Sequence, residues 1–159
     1  YGRYSANPIG RLVLYLFGYH DERRQGLSDR ICSGLQLTNF WQDVAIDLDK
    51  GRIYFPRRDM ERFEVTVSDL GRRAASSEFI ELMRHEIALA RRMLIDGAEL
   101  SKLVDFRLSR DVLMFAGGGL ALLRAIERAG CDVFDKRPKL SKLDYLKLGW
   151  KALSGNVEI

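Results

Sequence analysis

The chain has 159 residues, of which 47% are hydrophobic and 30% charged, with only three prolines. This composition excludes an intrinsically disordered chain and is typical of a folded helical domain. The longest apolar run, residues 12–17, is too short to span a bilayer. The net charge of +4 is spread along the chain without an interleaved aromatic stripe. Phosphorylated small molecules or an anionic membrane surface therefore fit this charge as well as nucleic acid does.

The first helix is predicted near the start of the chain. Asn7 and Pro8 are typical of an N-cap and a first helical position, although a kinked helix continuing from Tyr1 through Pro8 fits equally well. Five apolar residues follow at helical spacing: Ile9, Leu12, Val13, Leu16 and Phe17. This periodicity indicates an α-helix.

A second helix is predicted from Ser28 or Asp29, either of which can act as its N-cap, to about Lys50. Gly51 is typical of a helix end. The following residues, 52–75, mix proline, glycine and charges, and they predict one or two short helices.

Two longer helices are predicted next, from Ser76 or Ser77 to about Val104 and from about Leu108 to Ala129. A last helix is predicted from Ser141 onward, carrying Leu143, Leu146, Leu148 and Trp150. The glycines at 117–119 indicate either close helix packing or room for a long apolar ligand. No alternating strand pattern occurs, so the sequence predicts an all-α helical bundle.

A polar stripe runs along the second predicted helix. On a helical wheel with about 100° per residue, four polar residues share one narrow arc with apolar neighbours on both sides. These residues are Gln36, Asn39, Asp43 and Asp47. A different arc holds Thr38, Gln42 and Asp49, and we predict it to be the solvent face. The two carboxylates are thus predicted to lie in apolar surroundings, where like charges need a positive partner.

The spacing of this stripe predicts a divalent-cation site. Asp43 and Asp47 stand about 6 Å apart along the helix axis, with Asn39 one further turn away. Oxygen ligands suit Mg²⁺, which commonly takes one or two carboxylates and completes its shell with water and substrate phosphate. Downstream, Lys50, Arg52, Arg57 and Arg58 supply positive charge for a phosphate group. Asp43 and Asp47 are the only acidic i,i+4 pair in the sequence, which predicts half of a larger metal site.

Three stretches of the sequence resemble the head-to-head prenyl synthases, the family of squalene, phytoene and dehydrosqualene synthases. The main block is LQLTNFWQDVAIDLDKGRIYFP, residues 35–56, and the other two are YGRYSANPIG and GCDVFDKRPKLSKLD. The stretches SANPIG and NFWQD most resemble the bacterial hopanoid-pathway branch of hydroxysqualene synthases. Most relatives carry an arginine where this chain has Gln42.

The resemblance implies an all-α isoprenoid-synthase bundle, of which residues 1–159 form the C-terminal part of a single domain. It places the first aspartate-rich motif upstream of Tyr1. It also implies the following roles. Asn39, Asp43 and Asp47 hold Mg²⁺, Gln36 and Tyr54 line the diphosphate end, Tyr1 assists ionisation, and Lys136 and Arg137 contact substrate. Arg52 is predicted from its charge to bind the substrate phosphate.

The reaction implied by the resemblance is ionisation of presqualene diphosphate, with water capturing the carbocation to give hydroxysqualene. Head-to-head condensation of two prenyl diphosphates, such as farnesyl diphosphate, is the alternative within the family. A non-catalytic helical partner is the alternative of another class. We further expect a cytoplasmic protein, with unpaired cysteines and without a nucleic-acid partner. It would be peripheral on the inner membrane face and work with an upstream presqualene diphosphate synthase.

Overall fold

The computed structural model describes residues 5–141, 143, 144 and 146, and most of these residues are helical. The helices are α1 Asn7–Leu16, α2 Glu22–Gln42, α3 Val44–Asp49, α4 Arg57–Arg62, α5 Val67–Gly71, α6 Ser77–Ala98, a 3₁₀ helix Glu99–Lys102, and α7 Phe106–Arg128. No strand occurs in this part of the chain, so the all-α prediction is confirmed. Tyr1, Leu148 and Trp150 lie outside the described residues.

Two predicted helix starts are wrong. Helix α2 begins at Glu22, because Asp21 caps it and accepts a hydrogen bond from the backbone N–H of Arg24 at 3.0 Å. Ser28, one of the predicted caps, is instead buried inside the helix. Asn7 does not cap α1, whose N-cap is Ala6. Periodicity locates a helix but leaves its first turn to whichever side chain can reach the backbone N–H groups.

The start of α6 and the ends of α3 and α7 follow the predicted signals, whereas α6 ends at Ala98, six residues before the predicted Val104, and a 3₁₀ helix follows it. Ser76 caps α6 and accepts from the backbone N–H of Phe79 at 3.2 Å, and Asp105 caps α7. Gly51 and Gly130 adopt φ of +67° and +70° just after α3 and α7, as expected of helix-terminating glycines. The predicted continuous helix to Lys50 is broken at Asp43, where φ is −105° and ψ is 14°, so that it forms α2 and α3.

Helix α2 lies at the centre of the bundle and packs against α1, α6 and α7. Glycines bring the axes close together. A Cβ atom on Gly97 of α6 would lie 2.6 Å from Cγ1 of Ile31 and 2.9 Å from its backbone nitrogen. A Cβ atom on Gly34 of α2 would lie 2.9 Å from Cγ of Leu94. The backbones of α2 and α6 are therefore in direct contact.

The main core lies around the C-terminal half of α2 and the buried face of α6. Trp41 is fully buried and stacks on Phe55 with ring centroids 4.8 Å apart, so it packs in the core. The apolar side predicted for α6 is confirmed, since all five of its residues are buried: Phe79, Met83, Ile87, Ala90 and Leu94. In α1, by contrast, only Leu14 is buried among the apolar residues, while Ile9 and Leu16 are 63% and 78% exposed.

The glycine run at 117–119 does not interrupt α7 and serves different purposes at different positions. A Cβ atom on Gly119 would lie 2.8 Å from Cδ1 of Leu94 and 2.9 Å from Cδ2 of Leu35, which indicates close helix packing. A Cβ atom on Gly118 would have no neighbour within 4 Å. The packing interpretation therefore holds for Gly119 and does not apply to Gly118.

We expect opposite effects from alanine at two helical glycines. Gly97→Ala forces the α2 backbone away and lowers the free energy of unfolding by about 2–3 kcal/mol. Gly118→Ala is the matched control, and it raises the free energy of unfolding by about 1 kcal/mol because alanine has the higher helix propensity. Urea denaturation measures both values. Equal effects of the two substitutions would contradict the close contact between α2 and α6.

Candidate functional site

The polar stripe lies along the open face of α2 and continues onto α3, which carries Asp47. Asn39 is exposed, and Gln36, Asp43 and Asp47 are half-buried. The predicted solvent face is wrong for Thr38 and Gln42, which are only 1% and 7% exposed, and confirmed for Asp49, which is exposed.

Thr38 and Gln42 are buried because their polar atoms have partners. The hydroxyl of Thr38 donates to the backbone carbonyl of Gly34 at 2.7 Å. The side-chain amide of Gln42 donates to the backbone carbonyl of Pro138 at 2.6 Å and accepts from the guanidinium of Arg137 at 3.0 Å. A polar group that is hydrogen-bonded inside the protein can be buried without the full free-energy cost of losing its contacts with water. A helical wheel does not show such partners.

Asp43 has an internal positive partner. Nε and Nη2 of Arg137 each donate to one carboxylate oxygen of Asp43, the second at 3.1 Å. The hydrogen bonds with Asp43 raise the pKa of the Arg137 guanidinium above its ordinary value. The electrostatic repulsion predicted between the carboxylates of Asp43 and Asp47 is therefore reduced, because Arg137 neutralises Asp43. Lys136, the neighbouring predicted contact, is exposed.

Two hydrogen-bonded contacts fasten the stretch 5–7 to the open face of α2. The amide of Gln36 donates to the hydroxyl of Ser5 at 2.9 Å, and that hydroxyl lies 3.2 Å from Oε1 of Gln36. One turn earlier, the hydroxyl of Ser33 donates to the side-chain oxygen of Asn7 at 3.1 Å. Asn7 thus joins α1 to α2, which explains why it is buried and does not cap α1.

Asp47, Arg52 and Tyr54 line one small crevice where α3 ends. The backbone N–H of Arg52 donates to the backbone carbonyl of Asp47 at 2.8 Å, which turns the chain back beside the helix. The ring of Tyr54 stacks on Phe40 with centroids 3.8 Å apart and planes within 3°. The structure therefore brings these three predicted residues together. Tyr1 lies outside the described residues.

An apolar cleft of about 410 Å³ lies between α1, α2 and α7. Its walls include Ile9, Val13, Cys32, Leu35, Val112 and Phe115. Cys32 lies one turn before Gln36 on the same face of α2 as the polar stripe, because residues three or four apart share a helix face. One face of α2 is thus lined with apolar groups at one end and with carboxylates at the other.

The residues of the stripe fit a hard divalent cation. They offer two carboxylates and one amide oxygen on successive turns, and all three side chains are at least partly accessible. In the described part of the chain, no three His, Cys, Asp or Glu side chains are grouped so that they could hold a metal ion. A cation bound here would therefore take the rest of its shell from water or phosphate oxygens, as Mg²⁺ commonly does.

A buried carboxyl outside the stripe was not predicted from the sequence. Glu86 on α6 is 2% exposed, and its Oε1 has no hydrogen-bond partner among the described residues. Burial, together with the neighbouring carboxylate of Asp59 on α4, raises the pKa of Glu86 to about 7. His85 lies nearby, with Nε2 at 3.9 Å from Oδ1 of Asp59. The hydrophobic period of a helix does not show whether a glutamate on its buried face is ionised.

Comparison with known proteins assigns a family to this arrangement. The family model described as squalene/phytoene synthase matches residues 1–144. A hydroxysqualene synthase from Sinorhizobium fredii is 33% identical over 159 residues, which cover 97% of this chain and 52% of that protein. Enzymes of the family use a divalent metal in prenyl diphosphate chemistry.

Two solved structures share the fold. The crystal structure of squalene synthase HpnC from Alicyclobacillus acidocaldarius is 42% identical with a TM-score of 0.82, covering 84% of this chain and 51% of that one. A dehydrosqualene synthase in complex with ligand has a TM-score of 0.86 at 24% identity, covering 97% of this chain and 54% of that one, and it supports the fold alone. The chain spans about half the length of these relatives. No helix among the described residues is long and apolar enough to cross a membrane.

We expect Glu86 to make stability depend on pH. Because its pKa is raised in the folded state, its contribution is complete below the unfolded value near 4.5 and is lost as pH rises to about 7. The unfolding free energy of Glu86→Gln should therefore exceed that of the wild type increasingly over this range, by about 2–3 kcal/mol at pH 8 relative to pH 4.5.

Urea denaturation across pH measures this difference. Glu81→Gln, at an exposed position of the same helix, is the matched control and should follow the wild type. A Glu86→Gln variant with the wild-type pH profile would show that Glu86 is ionised in the folded protein at neutral pH.

Proposed function

Because the chain belongs to the squalene/phytoene synthase family, we propose that it forms part of a prenyl diphosphate enzyme, namely the part that carries the carboxylates of Asp43 and Asp47. In this proposal the enzyme depends on Mg²⁺ and acts on presqualene diphosphate. Water captures the carbocation, so that presqualene diphosphate and water give hydroxysqualene and diphosphate. The similarity to the Sinorhizobium hydroxysqualene synthase supports this branch.

The observation that carries the proposal is the division of one face of α2. Cys32 and Leu35 line the apolar cleft, and Asn39 and Asp43 follow within the next two turns. A molecule with an anionic head and a long hydrocarbon tail matches this order of surfaces. A soluble phosphorylated metabolite would leave the cleft unused, and a neutral lipid would leave the carboxylates unused.

Each group has a physical task in this proposal. Asn39, Asp43 and Asp47 would hold the cation, and Arg52 and Arg137 would place positive charge near the diphosphate. Bound Mg²⁺ would stabilise the negative charge that develops on the leaving diphosphate. The aromatic and aliphatic walls of the cleft would shield the carbocation until water reaches it.

Two acidic ligands are few for a diphosphate held through several cations. We therefore infer that the site is completed by carboxylates from the half of the family fold that this chain does not span. Residues 1–159 would then be the C-terminal part of one domain, and we expect little turnover from them alone. Association with the membrane surface and with a presqualene diphosphate synthase belongs to the same proposal.

Head-to-head condensation is the second candidate reaction, because the 42% identical structure is described as a squalene synthase. Product analysis with presqualene diphosphate and with farnesyl diphosphate distinguishes the two. Hydroxysqualene from presqualene diphosphate supports the first proposal, whereas rapid condensation of farnesyl diphosphate by the complete protein supports the second. Activity with neither substrate would favour a non-catalytic partner.

We expect Asp47→Asn to reduce Mg²⁺-dependent diphosphate release by about 100-fold or more, since the amide removes a negative metal ligand. Asp49→Asn is the matched control, because Asp49 is exposed and paired with Arg73 away from the stripe. The measurement is diphosphate release by the complete protein at saturating Mg²⁺. Full activity of Asp47→Asn would rule out the stripe as the metal site.

A further inference from the structure

We propose that Arg137 is an internal counter-ion that competes with the divalent cation for Asp43, and that Gln42 is the positioning residue that holds Arg137 there. This inference rests on the proposed function, since it assumes that a cation binds at Asp43. It adds a link between metal binding and the segment 131–138, which we call the C-terminal strap.

The contact between Arg137 and Asp43 is a two-bond fork. Nε donates to Oδ1, and Nη2 donates to Oδ2 at 3.1 Å. Both carboxylate oxygens are thus directed at the guanidinium, and the side chain of Asp43 is only 27% exposed. Paired hydrogen bonds of this kind fix the orientation of the carboxylate as well as neutralise it.

Gln42 fixes the guanidinium from the other side. Its Oε1 accepts from Nη2 of Arg137 at 3.0 Å, and its Nε2 donates to the carbonyl of Pro138 at 2.6 Å. Gln42 is 7% exposed, so its bond to Pro138 is buried, whereas its bond to Arg137 is partly buried because the arginine side chain is 39% exposed. One buried amide therefore holds the arginine side chain and the backbone that follows it.

The C-terminal strap is itself anchored in the core. Cys131, Val133 and Pro138 are buried. The ring of Phe134 packs against Phe79 on α6 with centroids 4.7 Å apart. Arg137 therefore extends to Asp43 from a segment that is packed against the core, and this packing restricts where the guanidinium can lie.

Competition follows from charge. A divalent cation on Asp43 would lie next to the guanidinium, and the two positive groups would repel each other while sharing one carboxylate. Phosphate oxygens give Arg137 an alternative partner of the same fork geometry. We therefore expect the cation alone to bind weakly, and the cation and a diphosphate to strengthen each other's binding.

The test is a titration of Mn²⁺ against the complete protein, with free Mn²⁺ measured by electron paramagnetic resonance, without and with inorganic pyrophosphate. Arg137→Gln should bind Mn²⁺ alone about 10-fold more tightly than the wild type and should lose most of the enhancement by pyrophosphate. Gln42→Met, which keeps the length of the side chain but removes both hydrogen bonds, should shift Mn²⁺ binding in the same direction by a smaller factor.

Lys139→Gln is the matched control, because it removes an equal charge from an exposed position two residues away. It should leave Mn²⁺ binding unchanged, and thermal melts confirm that each variant is folded. If Arg137→Gln fails to fold, Gln42→Met alone decides the question. Unchanged or weaker Mn²⁺ binding in the folded variants would overturn the competition but not the proposed function. If Asp43→Asn binds Mn²⁺ in the presence of pyrophosphate as tightly as the wild type does, the proposed function itself is overturned.

Discussion

The close contact between α2 and α6 is the constraint on which the remaining structure depends. Gly34 and Gly97 leave no room for a Cβ atom between the two backbones, and Gly119 brings α7 against the same place. With its inner side occupied in this way, α2 can present only one face outward. That face carries the apolar cleft at one end and the acidic stripe at the other, so the packing of three helices determines where the candidate site lies.

The second organising feature is the treatment of buried polar groups. Thr38 and Gln42 are buried with hydrogen bonds to backbone carbonyls, and Gln42 also binds the strap that delivers Arg137 to Asp43. Glu86 is buried without comparable compensation at Oε1, and its raised pKa is the physical consequence. The hydrogen-bonded side chains of Thr38 and Gln42 thus shape the site on α2. Glu86, whose Oε1 has no partner among the described residues, lies near Asp59 of α4 and makes stability there depend on protonation.

The sequence block around residues 35–56 and the structure give consistent evidence of ancestry, because the fold, the family model and the relatives all agree on the squalene/phytoene synthases. They do not carry equal information about chemistry. The chain spans about half the length of its relatives, and the carboxylates that would complete the proposed metal site would lie in the half of the family fold that it does not span.

The sequence by itself determined the helical class, the start of α6, the approximate extent of α7, the apolar side of α6 and the spacing of the acidic stripe. These features are local, because hydrophobic period, capping residues and terminal glycines act within a few turns. Only the tertiary structure decided that Thr38 and Gln42 are buried, that Asn7 links two helices, that Glu86 is enclosed, and that Arg137 neutralises Asp43. The last contact joins residues 94 positions apart. A helical wheel describes a single helix and cannot register partners that arrive from another segment, so the environment of each charge follows from how the helices pack.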